Sequence, residues 1–150
     1  VHIPPTTPEA AYAGAPAPET EMTNLVALER ALTGRRTAAA TRELALRKAA
    51  WLDRAALNNP DDQRAATLAY TAALELRRHD NAFGDYTGCV PPYADVFARG
   101  RSRQYVRQEY FAWHTGRCAH HDNCPVARSE EGAAHWDHPE RQDPDLHRQA

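Results

Sequence analysis

Between His114 and Cys124 the chain places five soft metal-ligand side chains within eleven residues: His114, Cys118, His120, His121 and Cys124. Cys89 lies upstream as a sixth. Thiolate sulfur and imidazole nitrogen are the donors that structural zinc takes four at a time in a tetrahedron, so a loop of this composition after a helix suits a zinc site. Cys89, Cys118 and Cys124 with one of His114, His120 or His121 fill the four positions. No zinc-finger pattern is matched, because five residues separate Cys118 from Cys124 and there is no second tight cysteine pair. Two plainer readings compete: reduced cysteines beside solvated histidines, and a disulfide between two of the three. The odd cysteine count and a reducing compartment disfavour the disulfide. Catalytic use of the same groups has less behind it. A metal enzyme needs a base such as Asp85 or Asp122, a thiol enzyme needs Cys118 paired with a histidine, and no glycine-rich phosphate loop is present. Binding is therefore expected rather than catalysis.

A second constellation is the stripe Arg99, Arg101, Arg103, Arg107 and Arg117, interleaved with Gln104, Tyr105, Gln108 and Tyr110 and opposed only by Glu109. Arginine reads guanine and glutamine reads adenine, so Arg101, Arg103 and Gln104 at the start of a helix are suitable for a major groove. The short element before them gives the outline of a helix-turn-helix. This makes DNA one expected partner class. The other is a protein, including a second copy of the chain, docking on an exposed apolar helix face.

These side chains must be positioned by helices. Thr20 precedes an amphipathic stretch from Glu21 to Thr33 that Gly34 ends. A second helix runs from about Thr37 to Leu57, with Ala45, Ala49, Leu52 and Ala56 beside Leu44, Trp51 and Ala55 on its apolar face, and Arg42, Arg47 and Arg54 on a solvated one. Asn59-Pro60-Asp61-Asp62 reads as a helix start, with Asn59 as cap and Pro60 in the first turn. Ala65, Leu68, Ala69, Ala72, Ala73 and Leu76 line the helix that follows. The short connection makes an αα-hairpin over about 37–79. Cys89 sits in a loop from Asp80 to Pro92, a short helix spans Pro92 to Ala98, and Ser102 caps a last helix over about 102–114 with Val106, Tyr110 and Trp113 inward and Gly116 as its stop. The expected fold is all-α: one small helical domain with a Cys/His loop.

Composition sets the boundaries. Five prolines fall in the first twenty residues with little else apolar but alanine, so 1–20 is expected to be a flexible arm. The tail 128–150 carries six acids against three arginines and includes His135, Trp136, Asp137 and His138; it is read as an acidic, flexible end. The folded unit is then 21–127, near the usual size of one domain. Net charge is −2, which predicts no general attraction to nucleic acid or membrane. It is unevenly distributed: 35–54 and 99–117 each sum to +4 between acidic ends. No apolar run approaches the ~20 residues needed to cross a bilayer, so a cytoplasmic protein without membrane contact is expected.

Overall fold

A computed structural model describes residues 3–118. Its elements are α1 (Pro8–Tyr12), α2 (Pro18–Ala31), α3 (Ala38–Asn58), α4 (Gln63–Phe83) and α5 (Ser102–Thr115), with a single 3-10 turn over Asp95–Phe97 and no strand among the described residues. The all-helical class, the hairpin and the last helix are those expected from the sequence. No helix among the described residues is long and apolar enough to cross a membrane.

The Thr37 hydroxyl caps α3 by accepting from the Ala40 amide at 3.1 Å. Asp62 caps α4, accepting from the amides of Arg64 and Ala65 at 3.0 and 3.1 Å. The start expected at Asn59 is therefore displaced. A carboxylate that satisfies two orphan N–H groups at the positive end of the dipole is the stronger cap, while the Asn59 amide donates back to the Ala55 carbonyl at 2.9 Å and closes α3. Between the two helices Ala49, Ala50, Ala69 and Ala73 are at most 1 % exposed, and side chains this short let the backbones approach closely.

α5 packs on α1, α3 and α4, and the core gathers Leu46, Leu76, Phe97, Tyr105, Val106 and Tyr110. A satellite cluster of Leu25, Leu32 and Leu44 seats α2 on α3. Because α3 has neighbours on three sides, its buried face is wider than one apolar stripe. Arg42 and Arg47, expected in solvent, have side chains only 11 % and 15 % exposed. Arg47 reaches Glu21 at 2.8 Å and Glu43 at 3.1 Å and lies under the Trp113 ring.

Residues 3–20 also differ from the expected loose arm. Pro8 and Pro18, which counted towards disorder, each occupy the first turn of a helix, where the missing N–H removes no bond. Ala11 is buried, and the Tyr12 hydroxyl donates to Asp53 at 2.6 Å. In the expected helix Pro92–Ala98, only the 3-10 turn forms. Arg77 of α4 supplies what a helix would have: its guanidinium donates to the carbonyls of Pro92 and Phe97 at 2.7 and 2.8 Å.

Thr6 is 5 % exposed, and its hydroxyl oxygen lacks a hydrogen-bond partner among the described residues. A buried, unpaired hydroxyl costs about 1–3 kcal/mol. Thr6→Val, nearly isosteric, is therefore expected to raise the free energy of unfolding in urea titrations by up to about 1 kcal/mol, and a fall would show that the hydroxyl is paired in solution.

Candidate metal centre

A buried ionic lattice fastens the loop that carries Cys89. From α3, the Arg42 guanidinium donates to Asp80 through Nε at 2.9 Å and Nη2 at 2.8 Å, and through Nη2 to Glu109 of α5 at 2.8 Å. Neither acid has solvent exposure. The Tyr105 hydroxyl donates to Asp80 at 2.6 Å, and His79 Nδ1 lies 3.1 Å from the same carboxylate. Glu109 also accepts from the Thr87 amide, from the Gly88 amide at 2.6 Å and from the Gln108 side chain at 3.0 Å. Gln108 in turn donates to the Val90 carbonyl at 2.8 Å. Loop residues on both sides of Cys89 are thus tied to one turn of α5. A Cβ at position 88 would overlap the Gln108 side chain, so only glycine allows this approach.

The electrostatics follow from burial. Burial, reinforced by Glu109 and Asp80, drives the Tyr105 hydroxyl well above its ordinary range. Burial alone would lower Arg42, but its hydrogen bond to Asp80 and the charge of Glu109 outweigh that and raise it. The hydrogen bond to Asp80 raises His79 despite partial burial.

At its far end α5 stops at Gly116, which adopts φ 70° and donates to the Ala112 carbonyl at 2.9 Å. The chain turns there and buries Cys118 beside Cys89, the two packing with Val90 and Ile3. Cys118 is 3 % exposed and Cys89 7 %. Two of the six residues singled out for a metal are therefore together. His114 is placed otherwise: its ring stacks on Tyr110, with centroids 6.0 Å apart, and fills the space left by the missing side chain of Gly14. Among the described residues no group of three histidine, cysteine or acidic side chains is arranged to hold a metal. His120, His121 and Cys124 lie outside the described residues, as does the tail from 128.

The arginine stripe divides. Arg103 and Arg107 turn inward to Asp53, Arg103 through Nε and Arg107 through Nε at 2.8 Å and Nη2 at 3.0 Å. Asp53 has no solvent exposure. Burial pushes its carboxyl up, but the hydrogen bonds from Arg107, Tyr12 and Arg103 outweigh burial and hold it below the usual carboxylate range. Arg99, Arg101 and Arg117 are exposed, and Gln104 is half-buried. The element before α5 is one 3-10 turn, and α5 itself buries Ser102, Tyr105, Val106 and Glu109. Asp53, Asp80, Gln108 and Glu109 were not legible as site-building residues, because hydropathy patterns treat an acid or an amide as an outward position whatever its partners.

Two outcomes are expected. Asp53→Ala leaves two guanidiniums without their buried partner and should cost about 3–5 kcal/mol in chemical denaturation. For His79, a pKa raised in the folded state means that its stabilisation is complete below the unfolded value near 6.5 and is lost as pH rises through the folded one. The difference in stability between the native chain and His79→Gln, measured in urea, should therefore shrink from pH 6 to pH 8; a constant difference would detach His79 from the lattice. Comparison of the chain with protein-family models, curated proteins and solved structures finds no match, so its function rests on the geometry of these side chains.

Proposed function

We propose that the chain is a helical binding protein whose C-terminal segment is fastened to its body by structural zinc. The ligands in this reading are Cys89, Cys118, Cys124 and one imidazole of His120 or His121. The observation that carries it is the burial of Cys89 against Cys118, from distant parts of the sequence, at the point where the chain continues into Ala-His-His-Asp-Asn-Cys. Two cysteines side by side can both be taken, as thiolates, by one soft cation. Their sulfur chemistry, together with nearby imidazoles, favours zinc over magnesium or calcium. When bound, zinc supplies a cross-link that adds its binding free energy to folding.

A protein partner fits better than DNA. Arg103 and Arg107 are committed to Asp53, and Arg101 and Arg117 flank opposite ends of α5, a helix of 14 residues and about 21 Å. A phosphate backbone is better gripped by a contiguous patch.

Elemental analysis of the purified, untagged chain should find about one zinc per chain. Cys89→Ser and Cys118→Ser should each abolish stoichiometric zinc, while His114→Ala should keep it, since that ring is engaged with Tyr110. A strong chelator should lower the melting temperature of the native chain and leave the cysteine variants unmoved. Metal-free protein with no response to chelator sinks the proposal.

A further inference from the structure

Two clefts on the face made by α2, α3 and α4 share Glu29, Lys48 and Leu52 as a common wall. One, of about 240 Å³, is lined by Met22, Leu25, Val26 and Trp51. The other, of about 460 Å³, continues along α3 over Leu44, Ala45, Ala72 and Leu76 and ends at Arg36, Arg42 and His79. Met22 and Val26 remain 46 % and 44 % exposed at the rim, and Leu68, one turn before Ala72 on α4, is 46 % exposed. The α3 residues that line the two clefts, from Thr41 to Leu52, extend for about 16 Å, or three helical turns.

The charge on this face decides what fits it. Arg36 lines the end of the larger cleft, while Arg30, one turn after Val26 on α2, and Arg35, the chain neighbour of Arg36, are exposed as well; none of the three makes an ion pair among the described residues. Glu29 is already neutralised by Lys48 at 3.0 Å, which leaves Glu75 as the opposing acid in the larger cleft. An apolar trough three turns long with a basic end is complementary to a helix that is apolar on one stripe and acidic at one end. We infer that this face docks an acidic amphipathic helix of a partner protein, its apolar stripe entering the two clefts and its acids meeting Arg30, Arg35 and Arg36. The inference rests on reading the chain as a binding protein and is independent of the metal.

The test uses the full chain and three fluorescein-labelled peptides built on one leucine-striped helical scaffold, flanked by glutamate, glutamine or lysine. Fluorescence anisotropy should rank them glutamate, glutamine, lysine from tightest to weakest, with the glutamate peptide weakening as salt is raised. Val26→Glu, at an exposed position, and the pair Arg35→Glu with Arg36→Glu should each weaken the glutamate peptide about tenfold or more, with helical circular dichroism unchanged. Equal affinities for the three peptides, or binding indifferent to Val26→Glu, would overturn the inference. So would a chain that self-associates in sedimentation through Met22 and Val26 and excludes every peptide, because the occupant would then be a second copy. Zinc content measured on the same samples separates the two readings: peptide binding without zinc removes only the metal, and zinc without peptide binding removes only the groove.

Discussion

Arg42 Nη2 lies 2.8 Å from Asp80 and 2.8 Å from Glu109, so a single guanidinium joins α3 to α4 and to α5. One cation shared by two fully buried acids leaves an excess of negative charge that only further donors can support. Tyr105, Gln108, the Thr87 and Gly88 amides and the edge-lying His79 are those donors. The Asp53 node has the opposite balance, one acid between Arg103 and Arg107. Taken together, three carboxylates meet three guanidiniums. Buried ions are tolerated only when paired and hydrogen-bonded, and each node meets that condition by drawing groups from separate helices.

The lattice supplies what the apolar contacts lack. Ala49, Ala50, Ala69 and Ala73 let α3 and α4 approach closely, but small, similar side chains specify rotation and register weakly. A carboxylate that must meet Arg42, two loop amides and Gln108 at once specifies both. α5 therefore cannot slide along the hairpin by a turn without leaving Glu109 and Asp53 unpaired in the interior, a loss of several kcal/mol for each.

The same constraint reaches the thiols. Glu109 and Gln108 hold Thr87, Gly88 and Val90, and Cys89 lies within that stretch; Gly116 then turns the chain so that Cys118 comes back onto it. Both arms of the candidate metal centre are therefore placed by α5: Cys89 through the loop held on Gln108 and Glu109, and Cys118 through the turn at the helix end. The apolar trough follows α3, and Arg42 and His79 are the members of the lattice that line it.

The sequence by itself determined α2 to α5, because their signals are local. Thr37 before an alanine-rich run, Gly116 after the last periodic residues, and aspartates at the start of α4 act within one turn and need no partner elsewhere, whereas α4 runs on to Phe83, past the end expected near 79. The cysteine and histidine cluster was legible for the same reason, since spacing along the chain is enough to nominate donors. Only the tertiary structure decided that Cys89 meets Cys118, that His114 stacks on Tyr110, and that Arg103 and Arg107 face inward. It also decided that Tyr12, in a proline-rich stretch, docks on Asp53. The physical reason is common to all of them: a charge or polar group is held inside by a partner distant in sequence, and a pattern read along one helix contains no information about that partner.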